Sequence, residues 1–139
     1  GNDSKIAQLL REANDYPGPS LIIAYSHCIA HGYSMTYGME QQKRAVRSGY
    51  WPLFHYDPRL AGPDSSGFLL DSKPPDLPVS EYMNEEGRFR MLSLGNPERA
   101  KQLTTRAQQW VDRRQEHYRY LAGETTPGSV AIQPEHSED

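Results

Sequence analysis

Apolar residues at Ile6, Leu9, Leu10 and Ala13 recur every three or four positions, which predicts an amphipathic helix over about Ser4–Asn14. Asp3 or Ser4 can cap it. Pro17-Gly18-Pro19 stops it and turns the chain. Ser20–Tyr25 then runs almost continuously apolar, the pattern of a strand covered on both faces. A helix followed by such a strand is half of a βαβ unit, so the chain reads as the last piece of a larger α/β domain.

The pattern then changes. A short helix is expected over about Met39–Ser48, closed by a left-handed Gly49. YWPLFHYDPRL reads as an edge strand or an extended segment, because Pro52 and Pro58 cannot donate to a ladder. Ala61–Ser66 reads as a loop, GFLLDS as a further short strand, and KPPDLP as a polyproline-like spacer. A helix is expected from Ser80 through about Leu92, with Tyr82, Phe89, Met91 and Leu92 apolar. Asn96-Pro97 opens the last one, Pro97 suiting the first helical position. Its stripe is Ala100, Leu103, Ala107, Trp110, Val111, Tyr118 and Leu121, interrupted by Arg114, and Gly123 ends it. The segment 123–139 is polar, acidic and turn-rich, and is expected to be a disordered tail.

Composition narrows the class. A chain of 139 residues has the size of one domain. No apolar run approaches the roughly 20 residues of a membrane span, and GNDSKIAQLL lacks a signal pattern. The net charge of −3 is uneven: four acidic residues follow Gly123, leaving 15 basic against 14 acidic before it. No basic face predicts nucleic-acid binding. The single cysteine excludes an internal disulfide and fits a reducing, cytoplasmic setting.

That cysteine, Cys28, carries most of the candidate chemistry. It lies three residues beyond the apolar run, where open α/β sheets place ligands and cofactors. His27, Cys28 and His31 have an H-C-x-x-H spacing, but one thiolate cannot hold a metal alone, and structural zinc sites use about four ligands. His55, His117 and His136 are scattered. A buried structural cysteine is the bland alternative; a nucleophile with His27 or His31 as base is a third. Tyr50, Trp51, Phe54, His55 and Tyr56 suggest packing more than a stacking platform, and Asp57-Pro58-Arg59 suggests a turn more than an anion site. Arg113, Arg114, Glu116 and Arg119 read as a solvated helix face. There is no phosphate-binding glycine loop, nucleophile elbow or paired-carboxylate motif.

At PSLIIAYSHCIAHGY the chain resembles the thiamine-diphosphate domain of pyruvate:ferredoxin (flavodoxin) oxidoreductases, near the C-terminus of that long polypeptide. The resemblance continues through QQKRAVRSGYWPLFHYDPRL, GFLLDSKPP, EYMNEEGRFRML and NPERA. It implies coenzyme-A-dependent oxidative decarboxylation of pyruvate, with electrons passing through [4Fe–4S] clusters to ferredoxin or flavodoxin, in a homodimer. It implies that Cys28 is the thiolate completing the cluster nearest the thiamine, and thereby the one metal-binding and cofactor-binding residue of this chain; no catalytic residue is assigned.

The resemblance also implies what this stretch lacks. The family's other three cluster cysteines, including a C-x-x-C pair, and the G-D-G and Asn segments that bind magnesium and diphosphate have no match here. The implied fold is the C-terminal fragment of a transketolase-like, three-layer α/β domain (residues 1–122), with an extended wrapping arm over about 50–78 and C-terminal helices over about 80–122. Such a fragment would supply one cluster ligand and one wall of the thiamine domain, and would be inactive alone. The alternative is a free-standing, non-catalytic helical interaction protein or remnant subunit with a structural cysteine.

Overall fold

The computed structural model describes residues 3–124. The expected tail falls almost wholly outside them. Within them lie α1 (Asp3–Asp15), α2 (Gly38–Arg47), β1 (Phe54–Gly62), β2 (Ser65–Leu70), α3 (Val79–Asn84), α4 (Gly87–Gly95) and α5 (Pro97–Leu121). The architecture is mixed helix and small sheet, as the α/β reading requires at its coarsest.

The helix ends follow local chemistry. The Asn96 side chain accepts from the Arg99 amide at 3.0 Å, and Pro97 follows as the first residue of α5. After α2 the chain turns at Gly49, whose φ of +70° favours glycine. That glycine is also crowded: a β-carbon there would come within 2.8 Å of both Val111 and Pro75.

The expected wrapping arm is an antiparallel hairpin with a tight connection at Pro63-Asp64, shorter than the loop expected over Ala61–Ser66. Its register pairs Phe54 with Leu70, Tyr56 with Phe68, and Gly62 with Ser65. Between Tyr56 and Ala61 the register shifts, so that Asp57, Pro58, Arg59 and Leu60 bulge opposite Gly67. Pro58 has no N–H to offer the ladder, which is the physical reason for a bulge at that point. Gly67 must be glycine for the bulge to close: its φ is +77°, and a β-carbon would lie 2.5 Å from the Asp57 carbonyl. Phe54 and Phe68 stack on each other and on Tyr118 at centroid distances of 5.0–5.6 Å, fixing the hairpin to α5.

The core is small. Ala45, Val79, Tyr82, Ala100 and Val111 are its buried apolar side chains. The helix expected over Ser80–Leu92 is two helices. The break falls at Glu86, which takes an extended conformation (φ −102°, ψ 128°) and turns its carboxylate inward. Trp110 belongs to the α5 stripe by spacing but is 50 % exposed, so the stripe is narrower than its pattern.

Ser20–Tyr25 is a correction: no strand forms there. Among the described residues β1 and β2 pair only with each other. A strand covered on both faces needs neighbours on both sides, and this segment has none. Leu21 is 85 % and Ile23 71 % exposed, and Ile6 and Leu10 of α1 are exposed as well. The contacts the segment does make come through side chains: Ser20 donates to the Ala13 carbonyl at 2.9 Å, and, with its amide turned for best fit, Gln42 donates to the Tyr25 carbonyl at 3.1 Å and accepts from the His27 amide at 2.6 Å. Among the described residues no helix is long and apolar enough to cross a membrane.

Candidate functional site

The loop that follows the apolar segment carries Cys28. The thiol is exposed, which removes the core-filling role considered for it. Cys28 is extended (φ −142°, ψ 142°) and leads into a 3-10 turn, Ile29–His31, closed when the His31 amide donates to the Cys28 carbonyl at 3.0 Å. Gly32 ends the turn in the left-handed region, φ +77°.

The underside of this loop rests on the start of α4. The Gly87 amide donates to the Gly32 carbonyl at 3.1 Å, and Arg90 reaches the same oxygen at 3.4 Å. Neither glycine has room for a side chain: a β-carbon on Gly87 would sit 2.8 Å from that carbonyl oxygen. On the other flank the His27 ring lies against Gly38, where a β-carbon would come within 2.9 Å of it.

Beside these backbone contacts is a polar cluster that the sequence reading did not anticipate. Glu86, 1 % exposed, accepts from Gln41 of α2 at 3.1 Å through one oxygen and from Arg88 through the other. Arg88 also donates to the hydroxyls of Tyr25 and Tyr82, both at 3.3 Å, and those hydroxyls lie 2.7 Å apart. Gln41 further donates to the Tyr82 carbonyl at 3.0 Å. A buried carboxylate is tolerated only when paired and hydrogen-bonded, and here both oxygens are met. Burial, then hydrogen bonding with Tyr25 and to the Glu86 carboxylate, push the Tyr82 phenol far above its ordinary range. Burial is the largest single influence on Arg88 and works against its charge, but the Glu86 hydrogen bond and the charges of Glu86, Tyr50 and Tyr82 together outweigh it and raise the guanidinium. The His31 ring nitrogen Nδ1, buried and without a hydrogen-bond partner, is 3.8 Å from Glu86 Oε1.

The other candidates fall into structural roles. Trp51 stacks on Tyr25 at 4.9 Å and Tyr50 on Tyr82 at 4.3 Å, so the aromatic run packs. Asp57 and Arg59 do pair, at 2.7 Å, within the bulge. His55 meets Asp71 at 2.7 Å, and Lys5 meets the other oxygen of Asp71 at 2.7 Å, tying α1 to the hairpin. Arg114, expected on a solvated face, is half-buried and stacks on Trp110 while donating to the carbonyls of Gly49 and Tyr50.

His27 and His31 do not combine with Cys28 into a ligand set: among the described residues no group of three His, Cys, Asp or Glu side chains could hold a metal ion. What the site offers is one accessible thiol on a loop gripped at both ends. A clue to the grip was present in the sequence: Glu86-Gly87 interrupts an otherwise helical pattern, and glycine there permits close backbone approach.

The chain has the form of a mixed α/β segment with one presented thiol, and its relatives are large redox enzymes. It is 48 % identical over 122 residues, 88 % of its length, to a pyruvate-flavodoxin oxidoreductase of Rhodospirillum rubrum. It is 43 % identical over 119 residues to a pyruvate:ferredoxin oxidoreductase of Moorella thermoacetica, and 41 % identical over 124 residues to a pyruvate dehydrogenase [NADP(+)] of Cryptosporidium parvum. It spans about 10 % of the length of the first two and 6 % of the third. No family profile matches it. The chain matches a fragment of the pyruvate:flavodoxin and pyruvate:ferredoxin oxidoreductases.

Proposed function

We propose that this chain works as part of an enzyme that oxidatively decarboxylates pyruvate with coenzyme A and passes the electrons to ferredoxin or flavodoxin, and that Cys28 supplies one thiolate to a [4Fe–4S] cluster. The observation that carries the assignment is the exposed Cys28 on a braced loop. The names of the relatives supply pyruvate and the acceptor.

The donor set fits one corner of a cluster and no more. A [4Fe–4S] cube is held by about four cysteines, and the chain has one. Three ligands must therefore come from other polypeptide. When bound, the cluster would accept and relay single electrons. The residues here would hold the thiolate outward, while Tyr25 and Gly32 fix the loop that carries it. Thiamine diphosphate and magnesium belong to the proposed enzyme, but no diphosphate motif lies in this sequence, and no role toward them is assigned to its residues. The exposed Leu21–Ile23 segment and the exposed face of α1 would form one wall of the thiamine domain, against further strands.

The test is a graft. This chain replaces its matching segment in the Rhodospirillum rubrum relative, and the graft is compared with its Cys28→Ala variant. Loss of one cluster's iron and of its reduced-state paramagnetic signal, with dye and ferredoxin reduction largely abolished and the fold retained, is the expected result. Full iron and normal electron transfer in Cys28→Ala would overturn the ligand assignment.

A further inference from the structure

We propose that Glu86, at the break before α4, and Arg88 of α4 are positioning residues for the Cys28 loop: their ion pair holds its Tyr25 end, and the break that Glu86 makes sets Gly87 and Arg90 against its Gly32 end, so that the direction of the thiol is set from the start of α4 and not by the loop's own turn. The functional value of that hold rests on the reading of Cys28 as a ligand; the hold itself does not.

The loop has little of its own to fix it. Between Tyr25 and Gly32 the backbone-to-backbone bonds described are His31 to Cys28 and Gly32 to Ile29, both internal to the turn, and Gln42 of α2 adds side-chain bonds to the Tyr25 carbonyl and the His27 amide. The chain on either side is tied elsewhere. Three residues before Cys28, the Tyr25 hydroxyl accepts from Arg88 and shares a hydrogen bond with Tyr82. Four residues after it, the Gly32 carbonyl accepts from Gly87 and Arg90. Both anchors lead to the break between α3 and α4, and the residue that makes the break is Glu86.

Glu86 has no local reason to be buried. It makes no side-chain cap on α4. Its two oxygens instead bind Gln41 and Arg88, so the carboxylate joins α2 to α4 while it aims the guanidinium at Tyr25. Arginine suits the post because its planar fork can meet a carboxylate and two hydroxyls together, which an ammonium does less well. Gly32 and Gly87 complete the hold, since only bare backbones approach so closely. A buried polar network with its members paired fixes one geometry more firmly than apolar packing alone.

Two variants probe this without dismantling the core. Tyr25→Phe keeps the ring on Trp51 and removes only the hydroxyl. Glu86→Gln keeps the shape and removes the charge. Both are made in the grafted enzyme, in the Cys28→Ala background and with Cys28 intact. Amide hydrogen exchange over residues 26–33 is read first, with the melting temperature as control. In the Cys28→Ala background exchange should quicken roughly tenfold over 26–33 while peptides in α5 stay unchanged. With Cys28 intact, the midpoint potential and paramagnetic spectrum of the cluster should shift, with its iron retained. Arg88→Lys should behave like Glu86→Gln, because charge without the fork does not restore both contacts. Unchanged exchange over 26–33 in both variants overturns the proposal, whatever the cluster does. Quickened exchange alongside full iron in Cys28→Ala supports the hold and removes the ligand reading instead.

Discussion

The guanidinium of Arg114 lies 3.9 Å from the centroid of the Trp110 ring one helical turn earlier, and it donates to the carbonyls of both Gly49 and Tyr50. One side chain thus joins α5 to the end of α2, with the exposed indole as its lid. The burial lowers the Arg114 guanidinium from its ordinary range, yet leaves it charged at neutral pH.

Trp110→Ala should therefore cost about 1–2 kcal/mol, the range of a partly desolvated cation–π contact. A fully buried indole would cost about 3–5 kcal/mol. Urea denaturation distinguishes the two; a loss above about 3 kcal/mol would contradict the half-exposed placement. Val111, 2 % exposed on the same helix, should cost about 2 kcal/mol as alanine, two methyl groups and a small void.

Gly49→Ala should destabilise by about 1–3 kcal/mol. The left-handed φ and the approach of Val111 and Pro75 act in the same direction. Gly95, where a β-carbon meets nothing within 4 Å, is the control. Alanine there should leave the melting curve within experimental scatter, and equal losses at the two sites would refute the crowding argument.

Alkaline titration should single out Tyr82. Tyr82 has a folded pKa far above the ordinary 10.0, so its neutral form is the one folding favours. Its contribution to stability is complete below about pH 10 and declines as the pH climbs above that value, because only the unfolded state then gives up the proton. Ionisation of Tyr82 should therefore coincide with cooperative unfolding at alkaline pH. Ultraviolet absorbance and circular dichroism, recorded together, check the coincidence. In Tyr82→Phe the alkaline unfolding should begin later.

Cys28 should react freely with iodoacetamide in the native chain, at a rate near that of the denatured chain, because the thiol is exposed. Protection of more than about tenfold would mean that it is covered. Treating the 139-residue chain with iron and sulfide should give no stable cluster at one per chain, since a single cysteine cannot close the cube.

The sequence pattern was most legible where structure is local. The apolar spacing of α5, the Asn96-Pro97 start and the left-handed Gly49 follow from short-range chemistry, and each is found. The helix over 80–92 was misread because Glu86 pairs with Gln41, 45 residues away, and no short window holds both. Arg114 was misread for the same reason: its partners lie at Gly49 and Tyr50. The strand at 20–25 has the composition of a strand but not the neighbours, and composition cannot supply hydrogen-bond partners. Of the site, Cys28 could be singled out from its position after the apolar run, whereas the hold beneath it was spread over α2, α3 and α4.

Leu21–Ile23 has a consequence for how such a chain survives its own synthesis. An uncovered apolar stretch rich in β-branched residues, outside the only sheet among the described residues, is a template for copies of itself. Pro17 and Pro19 stand just ahead of it and can take no part in a ladder, so a growing stack cannot spread toward α1. No proline guards the other side until Pro52. On that side the turn whose Gly32 carbonyl is bonded to Gly87 and Arg90 would have to give up those contacts before it could straighten into a further strand. The same brace that would aim a thiol would then also keep the newborn chain from adhering to its siblings until its proper cover arrives.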